Sequence, residues 1–132
     1  HGQPESLSDL SMATTEWMLR KLGVQTRRLK ASDIPDVGGH GSKLVASICG
    51  ALRATSYMAG DGSLAYMNYS DFLDIGCDVW IQQWSTLVYE QAYPQTGFIP
   101  DLSTLDLLLN CPDTSAQLIQ STGTWKMLEP IE

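Results

Sequence analysis

Apolar side chains recur at steps of three and four residues along several parts of the chain, and this period predicts helices. The first such stretch is residues 6–22, where Ser6 or Ser8 can serve as the N-cap and Gly23 follows the last turn. The same pattern predicts four more helices, over residues 42–54, 68–75, 102–109 and 115–120.

Strands are predicted where apolar and polar positions alternate, or where a short apolar run ends in a turn. These stretches are residues 24–29, 56–58 and 77–84, and a tail is expected after residue 120. Because the predicted helices and strands alternate, we expect an α/β fold with helices packed on a small, mostly parallel sheet. Three strands are few for such a sheet, so we expect it to be incomplete in this chain.

The length of 132 residues suits one domain, spanning residues 1–132. Fifteen acidic and eight basic residues give a net charge of -7, which disfavours nucleic acid and anionic membrane surfaces as partners. The three cysteines, Cys49, Cys77 and Cys111, have neither the spacing of a disulfide framework nor that of a metal knuckle. With no apolar run near the roughly 20 residues of a bilayer span and no signal-peptide pattern, a cytoplasmic location is expected.

A glycine-rich loop at residues 38–43 is the first candidate site. It precedes a predicted helix, where free backbone N–H groups and the helix dipole favour an anion. Gly39, His40, Gly41 and Lys43 would bind a phosphate or carboxylate there. The spacing fits neither a P-loop nor a dinucleotide-binding motif, and a linker with a solvated histidine explains the same residues.

Asp61 is the second candidate, because it follows a predicted strand in the turn Gly60-Asp61-Gly62-Ser63. Open α/β sheets usually place ligands at the carboxyl ends of their strands, where Asp61 would bind a sugar hydroxyl or an amine. A tight turn with a solvated carboxylate is the alternative interpretation.

Residues 89–103, hereafter the aromatic segment, are the third candidate. They concentrate tyrosine, glutamine and proline in a stretch without a predicted helix over most of its length. Amphipathic aromatic and amide side chains in a loop are typical of recognition surfaces, although a packed Ω-loop has a similar composition.

His40 is the histidine best placed for acid–base chemistry, since His1 lies at the start of the chain. A pair between His40 and one of the cysteines is possible, but no spacing shows that they meet. A metal site of His40 with aspartates is likewise unsupported, because catalytic zinc sites recruit more imidazole or thiolate ligands. We therefore expect no metal and no cofactor.

The order of several motifs resembles the WbqC-like protein family over about residues 7–119. The most specific part is the block Phe-x-Pro-x-Leu-Ser-x-x-Asp-Leu-Leu-x-Asn at residues 98–110. It is supported upstream by a Tyr-x-x-Gly turn at residues 57–60, by Gly41-Ser42-Lys43-Leu44 opening a helix and by Tyr93-Pro94-Gln95.

The chain departs from the family pattern in two ways. Family members resemble a longer chain with an N-terminal Gln-Pro-x-Tyr-x-Pro-Trp segment, which has no counterpart here, so the chain resembles the C-terminal part of the family domain. A start at His1 rather than methionine fits a piece of a longer protein, a processing product or an artificial boundary. In the turn, Ala59-Gly60 replaces the Ser-Gly that is frequent in the family.

The resemblance implies a role in bacterial surface-polysaccharide or natural-product biosynthesis, and our first hypothesis is a transferase acting on an amino sugar or on a small activated acyl or aminoacyl substrate. His40 would be the catalytic acid or base. The residues expected to contact the small-molecule substrate are Gly39, Gly41, Lys43, Asp61, Tyr93, Gln95, Asp101 and Asp106. Asp106 has an alternative role, since it occupies the capping-box position of its own helix after Ser103.

Two further hypotheses concern partners. The chain is a non-catalytic binding or scaffold domain whose recognition surface is the aromatic segment, or it is half of a split protein. A split protein would need a partner chain with the missing N-terminal half, and alone it would expose an unpaired sheet edge and form homo-oligomers.

Overall fold

The computed structural model describes residues 6–129, so His1 and the end of the predicted tail lie outside the described residues. All five predicted helices are present in this range, and three strands accompany them. Their bounds are α1 Leu7–Lys21, α2 Ser42–Ala51, β1 Ser56–Gly60, α3 Ser70–Leu73, β2 Asp78–Gln83, α4 Thr104–Asn110, α5 Ser115–Gln120 and β3 Thr124–Met127.

The chain divides into two compact units, each built from separate stretches of sequence. One, the helical unit, combines the chain up to Arg27 with Thr86–Thr122 and contains α1, α4 and α5. The other, the sheet unit, combines Arg28–Ser85 with the chain from Gly123 onward and contains α2, α3 and all three strands.

The sheet unit confirms the α/β class, because its helices accompany a small sheet in the order β1-β2-β3. β1 and β2 are parallel, with Tyr57 opposite Val79, whereas β2 and β3 are antiparallel, with Trp80 opposite Met127. The sheet is therefore mixed, with one parallel and one antiparallel pairing among the described strands. Each of β1 and β3 pairs with a described strand on one side only.

Small and aromatic side chains fill the core of this unit. Phe72 of α3 is fully buried and stacks on Tyr57 of β1, with ring centroids 5.3 Å apart. The start of α2 is fastened to the loop before α3, because Ser42 Oγ donates to the Asn68 carbonyl at 3.1 Å and accepts from its N–H at 2.9 Å. The core cluster consists of Ala46, Cys49, Ala59, Phe72, Cys77, Val79 and Ile81.

Two expectations about strands were wrong. Residues 24–29 form no strand, and their apolar side chains Val24 and Leu29 are exposed, because alternation in one segment does not by itself make a strand. Conversely, residues 124–127, expected in a tail, form β3. All four residues of β3 are exposed, so the sequence has no buried alternation that could have indicated a strand.

The helical unit begins with α1, which is capped as predicted: Ser6 Oγ accepts the Asp9 N–H at 3.1 Å. α1 buries none of its residues. The buried apolar side chains of this unit come from α4 and from the stretch just before the aromatic segment. They are Leu87, Leu107 and Leu108. Ser115, at the start of α5, is also buried, and its hydroxyl donates to the Cys111 carbonyl.

Candidate functional site

The aromatic segment is a fastened loop. The side-chain amide of Gln91 donates to the Ile99 carbonyl at 2.8 Å and accepts the Ile99 N–H at 3.0 Å. This pair of bonds resembles the pairing of two strands and closes residues 91–99 into a loop of fixed size. Inside it, Pro94–Thr96 form a short 3-10 turn, and Thr96 Oγ1 donates to the Tyr93 carbonyl at 2.7 Å.

Asn110, the last residue of α4, ties this loop to the helix. Its Oδ1 accepts the Ala92 N–H at 2.8 Å, and its Nδ2 donates to the Asp106 backbone carbonyl at 2.9 Å. Because Asp106 and Asn110 are four residues apart on α4, both lie on the helix face that meets the loop. The amide therefore serves both as a cap for the helix end and as a clamp for the loop.

Behind the loop, Tyr89 and Asp106 form a hydrogen-bonded pair. The Tyr89 hydroxyl donates to Asp106 Oδ2 at 2.7 Å, and the Phe98 ring packs edge-on against Tyr89 with centroids 6.0 Å apart. Both members of the pair are half-buried. Burial raises the pKa of Tyr89, and its hydrogen bond to Asp106 raises this pKa further, so the hydroxyl remains a donor at neutral pH.

The residues that make these contacts border an open cavity of about 120 Å³ in the helical unit, hereafter the α4 cavity. Its lining combines the half-buried Asp106 carboxylate with amide and apolar groups and includes no Lys, Arg or His. The lining residues are Gln91, Ala92, Tyr93, Thr96, Ile99, Leu102, Asp106 and Asn110. This volume is below the roughly 300 Å³ of sites for drug-sized ligands, so the cavity suits one end of a small molecule.

The block of residues at 98–110 that shapes this cavity also belongs to a recognisable family pattern. Comparison with protein families matches residues 1–118 to the WbqC-like protein family. The chain belongs to this family. Neither the curated proteins nor the solved structures gave a significant match to it.

Of the site residues predicted for this WbqC-like chain, the structure brings Tyr93 and Asp106 together in the α4 cavity. Gln95 lies between them in sequence, in the exposed 3-10 turn of the loop. Asp101 is exposed, has a left-handed backbone with φ 55°, and accepts a 3.4 Å hydrogen bond from Thr86 through Oδ2. The capping role considered for Asp106 is not what its side chain does, since its carboxylate binds Tyr89.

The remaining predicted residues lie in the sheet unit. Gly39, His40, Gly41 and Lys43 are all exposed around the start of α2. Gly41 occupies the N-cap position with φ 55°, where no side chain caps the helix. The loop is held from behind by Ser47, whose Oγ accepts the Gly38 N–H at 3.0 Å.

Asp61 follows β1 directly, at the carboxyl end of the parallel pair as expected, and opens the 3-10 turn Asp61–Ala65. Its Oδ1 accepts the N–H of Gly62 at 2.8 Å, and its side chain is exposed. Leu64, in this 3-10 turn, lines a cleft of the sheet unit that the sequence did not predict. Two adjoining cavities of about 330 and 440 Å³ share Leu64, Leu128 and Glu129.

Sequence reasoning missed Gln91 and Asn110 as shaping residues of the α4 cavity, and it missed the sheet-unit cleft. Asn110 did carry a signal, because it lies one helical turn after Asp106 in the family block. No signal in the sequence indicated the cleft, because residues 126–129, which line one side of it, lie at the end of β3 and just after it, and β3 was not predicted.

Two absences hold for the described part of the chain. Among residues 6–129 no three His, Cys, Asp or Glu side chains are grouped closely enough to hold a metal ion. No helix in the same range is both long enough and apolar enough to cross a membrane.

Proposed function

We propose that this WbqC-like chain takes part in the biosynthesis of a bacterial surface polysaccharide or natural product in the cytoplasm, as a transferase that binds a small polar substrate in the α4 cavity. The observation that carries the proposal is the half-buried Asp106 carboxylate, held by Tyr89 at 2.7 Å in a cavity bordered by a fastened loop. Family membership supports the biosynthetic context. The substrate is an amino sugar or a small acyl or aminoacyl compound.

In the sheet unit, we propose separately that His40 is an acid or base and that Gly39, Gly41, Lys43 and Asp61 contact substrate. An exposed imidazole beside a helix N-terminus is available to exchange protons with a substrate. His40→Gln should abolish transfer, and this readout is independent of binding in the α4 cavity.

The direct test is an NMR titration of the whole chain that follows the side-chain amide signals of Gln91 and Asn110. Glucosamine, N-acetylglucosamine, glycinamide and acetamide serve as probes for the proposed substrate classes. We expect at least one probe to shift both amide signals, with the exposed side-chain amides of Gln117 and Gln120 on α5 as internal controls. If no probe shifts Gln91 and Asn110 more than these controls, the α4 cavity is not the substrate site.

A non-catalytic binding domain is the second candidate, favoured by Tyr93, whose side chain is 70% exposed on the fastened loop. A rigid loop presents an aromatic side chain at low entropic cost, as recognition surfaces do. Tyr93→Ala is the appropriate variant for this candidate and removes partner capture from a lysate. Tyr89→Ala is a poor choice, because Tyr89 is half-buried and bonded to Asp106.

The third part of the proposal is that another strand pairs with the edge of the sheet. Among the described strands, β1 and β3 each pair on one side only. A second chain that carries the N-terminal segment of the family pattern, or a second copy of this chain, would pair with one of these edges. Light scattering over a range of concentrations tests the homo-oligomer. A mass that stays monomeric at every concentration contradicts self-association.

A further inference from the structure

Three side chains of the α4 cavity each donate one hydrogen bond inside the protein. Gln91 donates one amide N–H to the Ile99 carbonyl. Thr96 donates its hydroxyl proton to the Tyr93 carbonyl, and Asn110 donates to the Asp106 backbone. The one charged group among the lining residues is the Asp106 carboxylate, which is an acceptor.

Asp106 is the strongest acceptor in the lining. An ionised carboxylate accepts through both oxygens and donates through neither. Tyr89 occupies Oδ2, and among the described residues no donor is bonded to Oδ1. The carboxylate is half-buried, and one of its oxygens can still accept a hydrogen bond from a ligand. A cationic donor is the ligand group that best neutralises such a carboxylate.

We infer that the α4 cavity binds the protonated amine of its substrate through Asp106, and that Tyr89 positions this carboxylate. The inference rests on the proposed function and narrows it, because it selects amino sugars and aminoacyl compounds over acyl compounds that lack an amine. A ligand carboxylate or phosphate would face Asp106 in a lining without basic side chains, so like-charge repulsion excludes it. The small volume admits the amine-bearing end of the substrate, and the rest extends outward.

The test uses matched pairs of probes that differ in the amine: glucosamine against glucose, and glycinamide against acetamide. Titrations at about pH 6 keep both amines charged, below the ordinary pKa of an α-amine near 8. The Gln91 and Asn110 side-chain amides again report binding at the cavity. We expect each amine to bind at least about tenfold more tightly than its neutral partner, as a charge-assisted bond allows.

Three variants assign the preference to its residues. Asp106→Asn keeps the size of the side chain and removes its charge, and it should abolish the amine preference. Asp113→Asn removes the same charge from an exposed turn of the helical unit and should preserve it. Tyr89→Phe keeps the ring and its contact with Phe98, and it should reduce amine affinity about threefold or more while leaving the affinity for neutral probes unchanged.

The outcomes separate the inference from the proposed function. If probes bind at the cavity with equal affinity for amine and neutral partner, or if Asp106→Asn retains the preference, the inference is wrong and the substrate site stands. If Tyr89→Phe lowers all affinities equally, Tyr89 supports the fold rather than the position of Asp106. If no probe binds at the cavity, both the proposed site and the inference fail.

Discussion

The three cysteines differ sharply in their surroundings. Cys49 and Cys77 are 6% and 2% exposed in one core cluster, and the Cys77 thiol donates to the Asp78 carbonyl at 3.7 Å. Cys111 is half-buried, with its Sγ 3.9 Å from the Glu90 carbonyl. The reactive form of a thiol is the thiolate, and it must be reached by the reagent.

We therefore expect alkylation of the native protein by iodoacetamide at Cys111 alone. Cys49 and Cys77 should react only after unfolding in denaturant. Peptide mapping by mass spectrometry over a time course measures both rates. Labelling of Cys49 at the rate of Cys111 in the native protein would show that the core opens far more readily than its packing indicates.

Stability should fall at alkaline pH. Burial, together with a smaller contribution from the neighbouring Cys77, raises the pKa of Cys49 from 9.0 to about 11. Because the pKa is higher in the folded state, the stabilisation is complete below pH 9.0 and is lost as the pH rises through about 11. By linkage the loss from this thiol is at most about 3 kcal/mol.

Chemical denaturation of the wild type and of Cys49→Ala across this pH range measures the effect. The variant starts less stable, because it loses buried volume, but its free energy of unfolding should fall less steeply with pH. Cys111→Ala controls for the loss of a thiol. Parallel curves for wild type and Cys49→Ala would contradict the assignment, and the buried tyrosines would then account for the slope.

At the residue scale, contacts between residues distant in sequence were not predictable. Tyr93 and Asp106 line one cavity, although one lies inside the aromatic segment and the other outside it. The bond between Tyr89 and Asp106 joins residues 17 positions apart, and neither local period nor propensity reports such a contact. The local capping role was therefore the interpretation that the sequence favoured for Asp106.

Among the elements, the antiparallel pairing of β2 and β3 depends on Gly123. This residue precedes β3 with φ 77°, and a Cβ placed on it would lie 3.0 Å from the Gln83 carbonyl oxygen. Backbone carbonyls do not move aside easily, so a side chain here would push the two strands apart. Gly97, with φ 78° and open space around its Cβ position, provides a natural comparison.

Gly97→Ala should cost about 1 kcal/mol, the strain of a left-handed non-glycine residue. Gly123→Ala carries the same strain and adds the clash with Gln83, so we expect it to cost at least about 1 kcal/mol more. Urea denaturation of both variants gives the two values. Equal costs would mean that the strands accommodate the extra methyl group without separating.

Helices were easier to predict than strands in this chain. α1, α4 and α5 follow their apolar period closely, because a helix makes its hydrogen bonds within its own sequence. A strand forms only beside a second strand, and residues 24–29 show the right alternation but are not a strand. β3 shows the reverse case, since its pairing with β2 holds a stretch whose side chains are all exposed.

For the molecule as a whole, β3 completes the sheet unit although it lies beyond the residues that match the family. Val79 of β2 accepts the Leu128 N–H at 2.8 Å just after β3, and Leu128 also lines both cavities of the cleft. A chain that ends at Thr122 should lose hydrogen-exchange protection on the side of β2 that faced β3. Protection unchanged from wild type would show that β1 and the core suffice to hold β2.

The alternating order of elements identified the α/β class, but it gave no indication that the chain forms two compact units from interleaved stretches. The reason is physical: a boundary between units is set by contacts between distant residues. Periodicity indicates which face of an element is apolar, but it does not indicate which distant element packs against that face.

This interleaving bears on how the chain folds as it is synthesised. About 40 residues separate β2 from β3, and they contain most of the helical unit. The sheet cannot close until β3 has left the ribosome, and the helical unit cannot close until Thr122 has left it, although this unit begins with α1. The two-stranded β1–β2 ladder is therefore exposed while residues 84–123 are synthesised.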